Sequence, residues 1–134
     1  MNDFLELLKQ EKFDNQLQKM IKRYKNKKLV LYGVGKFFHT IKNNYDLSKL
    51  NIIAVSDIMF KEIETPIFDE KLGYNKISPY CINKLKPDFV LISVLKDIYI
   101  EKFFNEQLFK DKNCRFKYKV LFQPSLSYKI RLDL

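Results

Sequence analysis

The sequence predicts an α/β fold built on a parallel sheet of about five strands, with helices on its faces and an extra helix at the N-terminus. Several short apolar runs lack the alternation of a half-exposed strand, which is typical of strands buried on both faces. Segments with the periodicity of an amphipathic helix separate these runs. The first run ends abruptly at a Gly-Val-Gly turn, residues 33–35. This alternation predicts right-handed crossovers and the strand order 3-2-1-4-5.

Length and composition indicate one globular domain. The chain has 134 residues, 46% hydrophobic and 31% charged, which is the balance of a folded domain. We expect a single domain over residues 1–134, with an N-terminal helix in 1–26, an α/β core in 28–122 and a tail in 123–134. The acidic first residues lack a signal-peptide pattern, and no apolar run approaches the roughly 20 residues that span a bilayer. A cytoplasmic location with no membrane span is therefore expected.

The first half of the chain begins with a helix and continues as strand, helix and strand. Residues 3–25 place apolar side chains near one helical face and predict one amphipathic helix. Residues 28–32 predict the first strand, the apolar spacing over 36–45 predicts a helix, and 51–56 predicts a second buried strand. An acid, Asp57, follows that second strand.

The second half begins with a loop and continues with three more strands and two helices. Residues 58–72 contain a proline and mixed charges, and predict a loop with room for a short helical turn. Ser78 and Pro79 predict a helix start, with serine as the cap, and the helix must end before Pro87. The remaining predicted elements are strands at 73–77, 88–94 and 116–122 and a helix at 97–108.

The glycine turn after the first strand is the strongest candidate for a binding site. A helix N-terminus presents unpaired backbone N–H groups and a partial positive charge. Gly33 and Gly35 permit a sharp turn and the close approach of a phosphate, with Val34 between them and the charged Lys36 next in sequence. Asp57 ends the second strand, where a carboxylate can accept hydrogen bonds from ribose hydroxyls. These five residues predict a nucleotide site.

One position departs from the dinucleotide-binding pattern. The full pattern has a third small residue at position 38, where this chain has Phe38 next to Phe37. Two bulky rings there compete for the space that a pyrophosphate needs. The alternative stays open that the glycines only make the strand-to-helix turn. The turn is also not a P-loop, because the chain has no Gly-x-x-x-x-Gly-Lys-Ser/Thr pattern.

Two further polar residues lie near predicted element ends. His39 is the only histidine, and it is a weak catalytic candidate because no orienting partner is identified. A helix N-terminus disfavours the protonated imidazole, so a role as a general base or hydrogen-bond partner is favoured over one as a cation. A packing or surface role is its alternative. Ser93 ends the fourth strand, at the edge that borders the ligand crevice in such sheets. It is a candidate contact for a base or sugar, with simple strand termination as the alternative.

The cysteines show no metal-ligand pattern. Cys81 and Cys114 are 33 residues apart, and the chain has no Cys-x-x-Cys pair and no histidine cluster. We therefore expect two buried or half-buried free thiols and no metal site.

Positive charge is the strongest feature of the composition. The chain has 25 basic and 16 acidic residues, a formal net charge of +9. A polyanionic partner is one interpretation, and clustering of Lys27, Lys28, Lys117, Lys119 and Arg131 on one face would favour nucleic acid. Only three of the basic residues are arginines, the residue suited to bidentate phosphate contacts. A general lysine excess is the competing interpretation, and the composition favours attraction of a smaller anion over nucleic acid.

Residues 29–94 resemble a Rossmann-like domain that is common in bacterial surface-glycan biosynthesis. The stretches VLYGVGKFFHTI, NIIAVSD and LGYNKISPYCINKLKPDFVLISV follow its pattern of a strand into Gly-x-Gly with a nearby His, a second strand ending in Asp, and a later Asp-led strand. Such domains stand at the N-termini of sugar O- and N-acyltransferases that use nucleotide-linked sugars. The matching residues are Gly33, Gly35, His39, Asp57, Gly73, Ile77, Asp88 and Ser93.

The resemblance implies ligand binding without implying acyl transfer. It implies that Gly33, Gly35 and Asp57 hold a nucleotide or nucleotide-linked sugar, with Lys36 or His39 near the phosphates or the sugar. The acyltransferases carry a C-terminal β-helix of hexapeptide repeats that supplies their acetyl-CoA site. This chain contains no such repeat after the matching region, so acyl transfer does not carry over.

Three functions stand as hypotheses. The first is a protein that binds a nucleotide, a nucleotide-linked sugar or NAD(P) at the glycine turn and serves surface-polysaccharide biosynthesis as a small enzyme or an accessory subunit. The second is a nucleic-acid-binding module that uses the basic surface, and the third is a protein-interaction subunit with a vestigial crevice. The leading helix and the aromatic tail also offer apolar surface for a homodimer.

Overall fold

The computed structural model describes residues 3–125 and shows a mainly parallel sheet of six strands over that range. The strands are β1 (Leu29–Tyr32), β2 (Ile52–Ser56), β3 (Ile67–Asp69), β4 (Tyr74–Ile77), β5 (Phe89–Ile92) and β6 (Tyr118–Val120). The α-helices are α1 (Asp3–Gln10), α2 (Phe13–Arg23), α3 (Lys36–Asn44) and α4 (Ile98–Glu106). Short 3-10 helices cover Ile58–Phe60, Pro79–Leu85, Leu108–Lys110 and Lys112–Cys114. The sheet order is β3-β4-β2-β1-β5-β6, and only β3 runs antiparallel to its neighbour.

The predicted fold class and strand order are confirmed. The five predicted strands are β1, β2, β4, β5 and β6, and they stand in the predicted order 3-2-1-4-5. Every residue of β1 is buried, with Leu29 and Leu31 in one core cluster and Val30 and Tyr32 in the other, which explains the absence of alternation. Because β2 and β5 flank β1 on opposite sides, the carboxyl end of β1 lies where the strand order reverses.

The two faces of the sheet carry separate apolar layers. On one face α1, α2 and α3 contribute buried side chains such as Leu8, Phe13 and Phe38. On the other face α4 and the 3-10 helices contribute Ile82 and Phe104. The leading segment therefore packs on the sheet of its own chain.

The leading segment forms two helices, α1 and α2, where the sequence predicts one. Lys12 interrupts it with a left-handed backbone, φ 54°. The cause is a slip in the apolar stripe, because five positions separate Leu8 from Phe13. At about 100° per residue they would point about 140° apart on a continuous helix. The break lets both fully buried side chains enter one core.

The segment after β2 contains an edge strand that the sequence analysis missed. The short helical turn expected in this loop is present, and β3 then pairs antiparallel with β4. β3 has three residues and follows Pro66, and its Ile67 and Phe68 are 54% and 60% exposed. A strand with no buried face leaves no periodic pattern that distinguishes it from a loop.

The helix predicted at Ser78 begins where expected and is a 3-10 helix. The Ser78 hydroxyl accepts a hydrogen bond from the Tyr80 amide at 3.2 Å, which confirms the cap. The helix ends at Leu85 and is followed by Lys86, whose φ is 51°, directly before Pro87.

The remaining expectations concern thiols, membranes, metals and the tail. Cys81 and Cys114 are buried free thiols, as predicted. Within residues 3–125 no helix is long and apolar enough to cross a membrane, and no three His, Cys, Asp or Glu side chains lie close enough to hold a metal ion. Most of the predicted tail, including Arg131, lies outside the described residues.

Candidate functional site

Gly33 has a structural reason to be glycine. Its φ of 104° lies in a region that side chains with a Cβ rarely adopt, and an added Cβ would meet the Val94 Cγ1 atom at 2.6 Å. Its amide donates to the Ser56 carbonyl at 2.8 Å, which continues the β1–β2 ladder into the turn. Gly33 therefore forms the turn against the ends of β2 and β5.

Ser93 lies beneath the turn and supports it. Its side chain is 1% exposed, and its hydroxyl oxygen lies 2.6 Å from the Gly33 carbonyl and 3.0 Å from the Tyr32 carbonyl. A hydroxyl carries one proton, so these two acceptors share it. The structure places the Ser93 side chain inside the fold, so its donor does not face the open side of the turn.

Gly35 faces open space at the start of α3. It is exposed, its φ is −80°, and an added Cβ would meet nothing within 4 Å. No side chain caps α3, and the first N–H groups of a helix have no partner within the helix.

Asp57 points at the glycine turn, as the nucleotide hypothesis requires. Its Oδ2 atom accepts from the Val34 amide at 3.0 Å, and its Oδ1 atom accepts from the Met59 amide at 3.1 Å. The carboxylate thus links the turn to the loop after β2. Because the Val34 amide donates to Asp57, this amide is not available to a phosphate.

The two phenylalanines after Gly35 pack away from the open space. The Phe37 ring lies edge-on to Phe4 at 5.2 Å and to Phe122 at 5.5 Å, on the side of α1. Phe38 is fully buried, with Tyr74 at 6.5 Å. Both rings enter the core, so the departure at position 38 does not block the front of the turn.

Lys36 and His39 occupy the first two turns of α3. Lys36 is exposed, and its Nζ atom lies 5.9 Å from the centre of the Phe4 ring, towards α1. His39 is half-buried, with its ring 5.3 Å from the ring of Phe38. Lys36 can therefore add positive charge beside the turn.

An apolar rim borders the same edge of the sheet, and the sequence analysis missed it. Five of the seven large hydrophobic side chains that are exposed within residues 3–125 lie in segments that follow the carboxyl ends of β2, β4 and β5. The rim consists of Ile58, Met59, Tyr80, Ile98 and Tyr99. Exposed apolar side chains at such an edge are typical of a surface that contacts a ligand or a partner. The sequence signal was an apolar residue shortly after a buried strand, where a polar loop is expected.

Tyr32 lies between the rim and the turn. It ends β1, is 2% exposed, and packs its ring edge-on against Phe104 at 5.0 Å. Burial raises the pKa of the Tyr32 phenol well above its ordinary value, and the nearby negative charge of Asp57 raises it further. Tyr32 therefore keeps its proton and stays neutral beside the Asp57 carboxylate.

Comparisons with known proteins yield one distant structural likeness. No protein-family model matches the chain, and no curated protein does. A solved structure, the crystal structure of UDP-D-quinovosamine 4-dehydrogenase from Vibrio fischeri, is 20% identical over 81% of this chain and 86% of that chain, with a TM-score of 0.43. A likeness at this level carries no argument about the ligand, which must be inferred from the geometry of the site.

Proposed function

We propose that the protein binds a nucleotide or a nucleotide-linked sugar, with the ligand's diphosphate on the backbone amides of Gly35 and Lys36. The observation that carries this proposal is the open, uncapped N-terminus of α3 at the carboxyl end of the central strand β1. Ligands of parallel α/β sheets bind where the strand order reverses at that end. Unpaired N–H groups and the helix dipole both attract a phosphate there.

The neighbouring groups fit the other parts of such a ligand. Each oxygen of Asp57 accepts one backbone hydrogen bond, and a carboxylate offers about four acceptor sites, so capacity remains for ribose hydroxyls. The Lys36 ammonium adds charge near the diphosphate. The apolar rim offers surface for a base or a sugar ring. Because the Val34 amide donates to Asp57, the diphosphate must bind the amides that follow Val34.

The biological role is proposed from the resemblance of residues 29–94 to domains of surface-glycan biosynthesis. In that setting the protein is a small enzyme or an accessory subunit of surface-polysaccharide synthesis. His39, in the second turn of α3, is the residue to test for a catalytic role. NAD(P) is the second candidate ligand, because an acid at the end of β2 also suits the ribose of NAD.

A thermal-shift screen tests the proposal with UDP-sugars, GDP-sugars, NAD, NADP and CoA at millimolar concentration. A ligand at 100 times its Kd stabilises the native state by about 2.7 kcal/mol. At least one nucleotide is therefore expected to raise the Tm by several degrees. Absence of a shift with every compound would overturn the proposal.

The substitution Gly35→Asp separates loss of the site from loss of folding. Aspartate is a favoured N-cap residue, so its carboxylate should occupy the first amides of α3 and support the helix while repelling a phosphate. We expect a Tm without ligand equal to or above that of wild type, and no ligand-induced shift. Asn75→Asp adds the same charge at an exposed position of β4 and should keep the shift. Equal shifts in all three proteins would place the ligand elsewhere.

A protein-interaction role is the second candidate function. It is favoured by the exposure of the apolar rim and by the Asp57 carboxylate at the Val34 amide. Analytical ultracentrifugation of wild type and of a Met59→Lys, Tyr99→Lys variant tests it. This role predicts a homodimer that the rim variant loses, whereas monomeric wild type with a nucleotide-induced shift would favour the first proposal.

A further inference from the structure

A groove between helix α2 and the adjoining face of edge strand β6 gathers positive charge. Three adjoining cavities of about 210, 550 and 420 Å³ extend along it, and Lys119 lines all three. None of the residues that line them is acidic. The basic groove is defined by its five cations, Lys19, Arg23, Lys27, Lys117 and Lys119.

The two walls of the basic groove are held together by the fold itself. The Gln16 side chain donates to the Gln123 carbonyl at 2.9 Å and accepts from the Gln123 amide at 2.8 Å. Met20 on α2 and Leu121 after β6 are buried in the same core cluster. The groove is therefore formed before any ligand arrives.

Within residues 3–125, no cation of the basic groove forms an ion pair. The one ion pair found within residues 3–125 joins Lys76 to Asp69, at the opposite edge of the sheet. Lys19 and Arg23 are four positions apart on α2, a spacing at which like charges repel each other and destabilise the helix. A dense set of unpaired cations along a concave surface is typical of a site for a polyanion.

We infer that the basic groove binds single-stranded nucleic acid through its phosphate backbone. Four residues advance about 6 Å along a helix, and two residues advance about 6.6 Å along a strand. On each wall the two cations are therefore separated by about the distance between successive charges of a chain that carries one phosphate per unit. The pairs are Lys19 and Arg23 on one wall and Lys117 and Lys119 on the other. Half-buried Phe89 lines two of the three cavities and offers an aromatic surface to a base.

Shape favours a single strand over a duplex. A groove admits a single strand, whereas duplex DNA receives a protruding helix or ribbon in its own major groove. An acidic peptide is the competing occupant, and comparison with polyglutamate distinguishes it from a single strand.

The set of cations differs from the one that the sequence analysis named for nucleic acid. Lys27, Lys117 and Lys119 lie in the groove. Lys28 instead donates to the Leu85 carbonyl at 3.2 Å, and Arg131 lies outside the described residues. The residues that line the basic groove include none of the glycine turn and not Asp57, so the two sites can be tested independently.

Fluorescence anisotropy with a labelled 12-nucleotide oligo(dT) tests this inference. The slope of log K against log salt is about −0.7 for each phosphate neutralised on a single strand. Three to five contacts therefore predict a slope of about −2 to −3.5. Binding that is absent at low salt, or that does not change with salt, would overturn the inference.

A pair of matched variants assigns that binding to the groove. Arg23→Glu with Lys119→Glu should weaken oligo(dT) binding at least tenfold. Lys71→Glu with Lys84→Glu makes the same change in net charge at exposed positions outside the groove and should weaken it less than threefold. Equal losses in the two double variants would show attraction by net charge alone. Equal affinity for a 12-bp duplex or a polyglutamate peptide would also overturn the assignment, and a circular dichroism melt checks that each variant is folded.

Discussion

The two glycines of the turn look alike in the sequence and have different roles in the structure. Gly33 has φ 104° and no room for a Cβ beside Val94, whereas Gly35 has an ordinary backbone and open space. A sharp turn with access to the backbone was predictable from the sequence. The division of these two roles between the glycines was not, because φ and the position of Val94 depend on how β5 packs beside β1.

Replacing Gly33 tests its structural role. Gly33→Ala should lower the free energy of unfolding by at least about 2 kcal/mol, because the alanine combines backbone strain with a contact of 2.6 Å to Val94. Gly35→Ala should change it by less than about 0.5 kcal/mol, because its backbone is ordinary and its Cβ meets nothing. Urea unfolding of both variants measures the difference. Equal effects would show that Gly33 is not constrained as described.

Tyr32 predicts a stability change at high pH. Because the pKa of this phenol is raised in the folded state, the unfolded chain loses the proton first as the pH rises past about 10. The contribution of Tyr32 to the free energy of unfolding is therefore intact below that pH. Above it, the free energy of unfolding falls by up to about 1.4 kcal/mol per pH unit. In the Tyr32→Phe variant, the free energy of unfolding measured with urea should fall less steeply between pH 9 and 11. Parallel curves for the two proteins would contradict the assignment.

Among the elements, those with a buried face were predictable. The strands β1, β2 and β5 carry continuous apolar runs because both of their faces are covered. Two elements were not predicted correctly from the sequence, for opposite reasons. β3 has no buried face and therefore no pattern, while the leading helix has a strong pattern with a slip in phase at Lys12.

The helix break predicts a stabilising substitution. Lys12 holds a left-handed backbone that costs a side-chain-bearing residue about 1–2 kcal/mol, part of which glycine avoids. Lys12→Gly should therefore raise the free energy of unfolding by about 0.5–1 kcal/mol. Gln18→Gly, at an exposed position inside α2, should lower it by about 1 kcal/mol. A loss of stability in both variants would argue for a continuous leading helix.

At the scale of the whole molecule, general rules of chain topology predicted more than local pattern did. The order of β4, β2, β1, β5 and β6 is among the few arrangements that right-handed crossovers between parallel strands allow. That order also places the glycine turn at the point of reversal, so the candidate site was predictable before the contacts of Asp57 were known. Of the basic groove, Lys27, Lys117 and Lys119 were named from the sequence. Lys19 and Arg23 were not, because they lie on α2, close to a hundred positions earlier in the chain than Lys117 and Lys119.

A titration of the 15N-labelled protein with UDP, followed by amide NMR, tests the central claim most directly. The diphosphate is proposed to bind the backbone N–H groups at the start of α3, and amide chemical shifts report on those groups. We expect the largest changes at Gly35 and Lys36, smaller changes at Met59 and Tyr80 in the loops that carry the apolar rim, and none at Gly35 and Lys36 in the Gly35→Asp variant. Changes confined to Arg23, Lys119 and their neighbours, or no change at millimolar UDP, would contradict a nucleotide site at the glycine turn.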